Sequence, residues 1–353
     1  MNSFKRGFRF TSPLVLVVAA LLVLPVLYAL QASVTSGRWS ALPLERCLRI
    51  PQDADTYVSW VVGKAKRQPP DGPVVYLLGG SAAREAIVSG KGLAADVAAL
   101  GGPAITAYDL GTNNQNFAES MAVVDNVPET STWVLIGVNP GRFTNTPSRS
   151  ADQLEGRELL LESSALRTTM AEKWGKSQRI PTILPGVLAY LTDLSQRRME
   201  SVFNGKKRGF NYQQHTFYGR EALSDKEKNE LVERWLENRP AALGRYVDRH
   251  LQILDGLLAR ARERGLHVVI VELPLNEDVV DGRFDSAQAE YQRPLRELAR
   301  RYDVPYVDFN EELGLPSADF YDLSHLDRDG GILWQRRLAE ELVRLMKQAE
   351  PAP

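Results

Sequence analysis

Apolar positions along this chain follow two rhythms, short unbroken runs and helical stripes, and the two alternate. Residues 74–78, Val-Val-Tyr-Leu-Leu, are too few for a helix and are β-branched or aromatic at the start. They predict a strand buried on both faces. Similar runs at 104–110, 133–137, 267–273 and 305–309 predict four further strands. Helical patterns lie between them. One covers 83–100, with a break at Gly90-Lys91-Gly92 and a stop at Gly101-Gly102-Pro103. Others cover 115–126, 243–264 and 287–302. The second of these carries Leu243, Val247, Leu251, Leu254 and Leu258 on one face and is closed by Gly265. Trp334, Leu338, Leu342 and Leu345 line a last helix. Such alternation predicts an α/β fold, a five-stranded parallel sheet covered by helices on both sides. Ligands bind such sheets outside the carboxyl ends of the strands.

The first fifth of the chain departs from this pattern. Residues 13–30, PLVLVVAALLVLPVLYAL, form an apolar run. At about 1.5 Å per helical residue it nearly matches a hydrocarbon core of roughly 30 Å. Lys5, Arg6 and Arg9 precede it, and no further charge occurs until Arg38. This predicts a single-pass anchor in the inner (plasma) membrane, with residues 1–32 as cytoplasmic tip and transmembrane helix and the rest on the periplasmic or extracellular side. A cleaved signal peptide is the competing reading, but the run is long for one and only Leu30-Gln31-Ala32 approaches a cleavage site. Residues 33–72 read as a stalk. Within it, 53–66 predict an amphipathic helix with Tyr57, Trp60 and Val61 on one side, ended by the Pro- and Gly-rich stretch 68–73. Residues 73–353 hold the alternating domain.

Residues 145–220 interrupt the alternation. They are polar, carry the basic run Lys206-Lys207-Arg208, and scatter rings at Phe203, Phe210, Tyr212, Phe217 and Tyr218. They read as an insertion over the sheet's edge or top. It either holds a glycan or lies near a membrane surface, or is a solvated loop with a few packed rings. Its place between the site blocks leads to the expectation that it governs substrate choice more than catalysis. Ser224 and Glu227 then predict a capping box for a fresh helix.

Composition narrows the classes. With 353 residues and 44% hydrophobic content there is material for a sizeable core, and a net charge of -1 gives no electrostatic footprint for nucleic acid. Cys47 is the only cysteine, so no intramolecular disulfide and no cysteine-based metal site is expected. Leu44-Glu45-Arg46 before it is not a lipobox. No His, Asp or Glu spacing calls for zinc, and no cofactor is expected. His250 and His267 read as packing residues. His215, in the insertion, is a candidate for substrate contact.

Candidate chemistry sits at the strand ends. Gly79-Gly80 breaks the first strand and Ser81 follows, before helix-forming residues. Such a turn exposes Oγ and sets it at a helix N-terminus. An ordinary N-cap serine is the competing reading, although Arg84 stands where a capping box wants Glu or Gln. The second strand ends in Asp109-Leu110-Gly111-Thr112-Asn113-Asn114, and the third in Gly137-Val138-Asn139-Pro140-Gly141. Asp322-Leu323-Ser324-His325 precedes the last helix. Acyl transfer at a serine needs a base to take its proton, an acid to orient the base, and ready donors for the oxyanion. Ser81 as nucleophile, His325 as base and Asp322 as orienter supply the first parts. The N–H groups of Ser81 and Gly111 and the Asn139 amide are the expected oxyanion donors.

Ser81, Gly111, Asn139 and His325 match the four signature residues of the SGNH (GDSL-like) hydrolase superfamily, with Asp322 in the place of the triad acid. The chain resembles that family from about Val74 to the C-terminus, apart from the insertion. The resemblance implies a flavodoxin-like three-layer sandwich and esterase or acyltransferase chemistry. Two positions depart from the family pattern: Gly80 where Gly-Asp-Ser is usual, and Pro140 where Asp commonly follows the Asn. Neither changes a catalytic atom. With its anchor, the chain is similar to exported members that handle acyl groups on surface polymers, such as the alginate O-acetylation proteins and the teichoic acid D-alanine transfer proteins. Pro274-Leu275-Asn276 belongs with that likeness. The expectation is an outward-facing serine esterase or O-acyltransferase. It would act on small acyl esters, foremost acetyl, of a cell-envelope polysaccharide. The alternative is a non-catalytic partner of a membrane-embedded O-acyltransferase.

Overall fold

The computed structural model describes residues 13–35, 38–41, 54–129, 131–146, 161, 163–174 and 215–349. Five strands, β1 (Val74–Leu78), β2 (Thr106–Asp109), β3 (Thr132–Val138), β4 (His267–Glu272) and β5 (Tyr306–Val307), form one sheet in the order β2-β1-β3-β4-β5. Every pairing is parallel. The chain moves from β1 outward to β2 and then back across β1 to β3. The direction of winding therefore reverses between β1 and β3, and the carboxyl ends of these two strands flank the crevice where an open α/β sheet binds its ligand.

The unbroken apolar runs become strands because both faces of the sheet are covered. Val74, Tyr76 and Leu78 join Val134, Ile136, Val138 and Ile270 on one face. Against them pack α2 (Ala54–Arg67), α5 (Phe117–Val124), α6 (Ser164–Trp174), α8 (Pro240–Glu263) and α10 (Asp285–Tyr302). Val75, Leu77, Leu135, Val269 and Val271 face the other way, toward α3 (Ser81–Ala86), α4 (Gly90–Ala99), the single turn α11 (Asn310–Leu313) and α12 (Arg328–Ala349). Each fully buried Val or Leu of these strands contributes about 1.5–3 kcal/mol. A third, smaller cluster joins α7 (Asp225–Asn238) to α9 (Glu277–Val280) and Phe284, with Trp235 and Phe284 rings 4.2 Å apart.

Several expectations shift. The helix expected over 83–100 is two helices. The break falls at residues 87–89 rather than at the glycines. Ser89 caps α4 by accepting the Gly92 N–H at 2.9 Å. Gly90 opens α4, and glycine is required there because a Cβ would come within 2.0 Å of the Ala107 carbonyl oxygen. The expected capping box at Ser224 and Glu227 is present and starts α7. The stalk reading of 33–72 fails in its second half. Val58, Val61, Val62 and Ala65 of α2 are at most 2% exposed and belong to the main core. The amphipathic stripe was legible, but a stripe does not name the surface that covers it.

The insertion is not simply a solvated loop. Leu166 and Met170 of α6 are buried with the core, and α6 packs on α5 and α8. Residues 147–160, 162 and 175–214, with the basic run at 206–208 and the rings at 203, 210 and 212, lie outside the described residues. At the other end, α1 (Pro13–Thr35) is a helix with Val17, Leu21, Leu22 and Leu24 exposed. Taken over the described residues alone, no helix is long and apolar enough to cross a membrane. Several side chains of α1 fall outside that set.

Candidate active site

The turn after β1 delivers the serine. Gly80 is extended, with φ -71 and ψ -168, and Ser81 opens α3 behind it. The hydroxyl therefore stands at the crevice rather than folding back as a cap, and no side chain caps this helix. Ser81 Oγ lies 2.7 Å from His325 Nε2. His325 Nδ1 lies 2.9 and 2.8 Å from the two Asp322 carboxylate oxygens. A carboxylate can only accept, so Nδ1 carries the proton and Nε2 is left to accept from the serine.

The loop holding Asp322 and His325 is tied at many points. Phe320 and Leu326 bridge its two arms, Tyr321 N–H donates to the His325 carbonyl at 2.8 Å, and Asp327 N–H to that of Asp319 at 2.9 Å. Asp322 Oδ1 also accepts the N–H groups of Ser324 and His325, at 2.9 and 3.0 Å. Burial pushes the Asp322 carboxyl up. The hydrogen bond and charge of His325 and the two backbone donors outweigh this and hold it below the ordinary carboxylate value. From below, Asn276 N–H donates to the Leu323 carbonyl at 3.0 Å and its Nδ2 to that of Asp322 at 3.3 Å. Lys228 of α7, only 2% exposed, donates to the Ser317 carbonyl at 2.6 Å. Burial lowers its pKa, against the charges of Asp225, Asp322 and Asp327.

On the other side of Ser81, Asn139 ends β3 and lines the same cavity, which holds about 310 Å³. Its Oδ1 accepts the Arg142 N–H at 3.2 Å, capping the short turn Pro140–Phe143. That fixes the amide with Nδ2 as its remaining donor. Ser81 and Ala82, at the first positions of α3, add N–H groups with no acceptor inside the helix.

Gly111 is placed differently from expectation. Its N–H donates to Asp109 Oδ1 at 3.0 Å, and it does not line the cavity. Its expected part as an oxyanion donor is corrected accordingly. Glycine is needed here for close approach: a Cβ would stand 2.7 Å from the Arg84 nitrogen and 2.9 Å from its Cα. The residues of this loop that reach the cavity are Asn114, held at φ 54, Gln115 and Asn116.

No family model matches the chain, and no curated protein matches it. Geometry alone therefore carries the reading of this site.

The sequence did not single out several residues that shape it. Arg142 is 6% exposed and lies over the Phe117 ring at 4.1 Å, donating to the Gly137 carbonyl at 2.5 Å and Ser120 Oγ at 3.1 Å. Burial pulls its pKa down to about 9, against the nearby Glu119 charge. It braces the β3 end that carries Asn139. Leu231, Trp235, Leu275, Phe284 and Leu323 give the cavity an apolar wall. Of the remaining histidines, His250 packs edge-on against Phe117 and Phe143. His267 stacks on Trp133 at 4.6 Å. His215 bonds the Ile87 carbonyl at 2.7 Å and does not line the cavity, so its expected substrate contact is not found there. Among the described residues no cluster of His, Cys, Asp and Glu could hold a metal.

Proposed function

We propose that this chain is a serine acyl-ester enzyme of the SGNH type with a flavodoxin-like sandwich, anchored by its N-terminal helix and facing outward. It removes or transfers a small acyl group on a hydroxylated cell-envelope polymer. The observation that carries the reading is the line Ser81–His325–Asp322, with 2.7 Å between Oγ and Nε2 and 2.8 Å from Nδ1 to the carboxylate. The strand order and the switch point between β1 and β3 support the fold assignment. The exposed apolar side chains of α1 and the basic residues before it support the anchor.

The chemistry follows from the protonation pattern. His325 Nε2 takes the Ser81 proton as Oγ attacks the ester carbonyl carbon. The carbonyl oxygen gains the negative charge and is met by the Ser81 N–H and Asn139 Nδ2. Asp322 stabilises the imidazolium and keeps its orientation. The tetrahedral intermediate collapses, the C–O bond to the alcohol breaks, and His325 returns the proton to the leaving oxygen. Water or a sugar hydroxyl then repeats the steps on the acyl-enzyme and frees Ser81. Full-length protein in detergent, assayed on a soluble acetyl ester and with a fluorophosphonate probe, tests this. Turnover and covalent labelling are expected in the wild type and absent in Ser81→Ala. Equal labelling in both would remove Ser81 as the nucleophile, and neither labelling nor turnover in the wild type would favour a non-catalytic partner role.

A further inference from the structure

The tail of the insertion, His215–Arg220, touches both halves of the site. On one side it grips the nucleophile helix. Thr216 N–H donates to Glu85 Oε1 at 2.8 Å, and the Tyr218 hydroxyl donates to the Glu85 carbonyl at 2.8 Å. Glu85 is fully buried on α3, four residues beyond Ser81, where Arg84 pairs with it at 3.0 Å. His215 stacks on Tyr218 at 4.0 Å and bonds the Ile87 carbonyl just past the same helix. On the other side Phe217 grips the histidine loop. Its ring centre lies 4.4 Å from that of His325 and 4.6 Å from that of Tyr321. Gly331 of α12 leaves room for this strap, since a Cβ there would stand 2.2 Å from the Tyr218 hydroxyl.

We propose that Phe217 is a positioning residue for His325, and that residues 215–218 act as a strap fixing the nucleophile helix and the histidine loop relative to each other. The proposal rests on the enzymatic reading above. Asp322 holds the imidazole at one edge, through Nδ1, and a ring held at one edge can still tilt about that contact. The Phe217 ring packs against the imidazole at a tilt of 43°, and the alternate Thr216 and Tyr218 contacts fix where Phe217 stands. Tilting by an ångström moves Nε2 out of line with Oγ, and misplacement of that size costs about a hundredfold in rate. The expected role for the insertion, substrate choice more than catalysis, therefore does not extend to its tail.

The test uses full-length protein in detergent and a small soluble ester. Active sites are counted by fluorophosphonate labelling. Phe217→Ala is expected to lower kcat per labelled site by about 10- to 100-fold with KM within about threefold. Phe217→Tyr, which restores a ring, is expected to recover most of that loss. Phe217→Leu, which keeps apolar volume but not the flat face, should fall between them at an unchanged Tm. It is the variant to read if Phe217→Ala does not fold. A kcat per site equal to wild type in Phe217→Ala or Phe217→Leu would overturn the proposal while leaving the enzymatic reading intact. So would a loss that tracks a falling Tm and that Phe217→Tyr does not restore. Turnover persisting in Ser81→Ala would overturn the enzymatic reading itself, and the proposal with it.

Discussion

Two loops flank Ser81 and are built on opposite plans. The histidine loop, residues 319–327, spends its backbone hydrogen bonds on itself, on the turn just before it, on Leu223 and on Asn276, and so aims side chains at the serine. The loop after β2, residues 109–116, closes its own amide onto Asp109 and presses Gly111 against the backbone of Arg84. The first loop organises chemistry through side chains; the second braces the nucleophile helix by contact. The difference teaches that matching residue types at matching places do not imply matching roles. A side chain's partner can be inferred from its chemistry, whereas the direction of a backbone N–H depends on the local turn.

The largest effect expected on this contrast comes from Asp322→Asn. The amide oxygen can still accept the Ser324 and His325 N–H groups, so the loop should keep its shape. The amide no longer holds Nδ1 protonated, and kcat should drop by about 10⁴-fold at nearly unchanged Tm. A drop below tenfold would show that the loop's order, not its carboxylate, matters. Next comes Asn139→Ala, expected to slow turnover by about a hundred- to thousandfold, or about 2.7–4 kcal/mol of transition-state stabilisation. It also loses the cap on Arg142, so Asn139→Asp, which keeps an accepting oxygen but no donor, should be measured beside it. Comparable losses in both would assign the effect to the amide donor. Near-normal turnover in Asn139→Asp would assign it to the cap.

For the bracing loop the expected order is reversed. Gly111→Ala should cost about 1–3 kcal/mol of stability by overpacking against Arg84, read as a lower Tm. Its effect on kcat per labelled site should be smaller than that of Asn139→Ala. A stable Gly111→Ala protein would mean that close approach is not why glycine stands there. The smallest effect concerns the end of β4, which leads into Asn276. Glu272 is 1% exposed and accepts from the Tyr291 and Tyr306 hydroxyls. Burial raises its pKa to about 8, against those hydrogen bonds. Folded protein then holds a proton that unfolded protein has lost above its ordinary value of 4.5. The stabilisation is complete below that value and fades as pH rises through about 8. Glu272→Gln should flatten the fall in Tm between about pH 5 and 8 by roughly a few degrees. An unchanged slope would show that Glu272 titrates normally.

Much of this was legible beforehand because it depends on short spans. Residues 74–78 and 133–137 could only be strands, being short, apolar and bounded by turn formers. Asp322 and His325, three apart, could be paired because both chemistry and reach are local. Ser81, His325 and Asn139 line one cavity because parallel strands open their carboxyl ends on one edge of the sheet, which alternation alone implies. What was hidden depends on distant packing. The main-core place of α2 required knowing which sheet face lacked a cover. The Asp109 carboxylate decides where Gly111 points, and Phe217 sits in a polar stretch with no rhythm to announce it. Glu85 reads as a surface residue until Thr216 and Tyr218, more than a hundred positions on, are seen beside it.

The burial of α2 bears on where the proposed enzyme could work. With α2 built into the domain and the short turn Arg38–Ala41 packed against it, with Ser40 buried, the apolar helix ends three residues from a segment that belongs to the domain. Even drawn out straight, the three peptide steps from Thr35 to Arg38 span at most roughly 11 Å. Anchored as proposed, the domain would patrol a thin shell over the bilayer, like an animal on a short lead. Polymer strands farther out would be beyond its range, so acyl groups would be handled while the chain is still near the surface where it emerges.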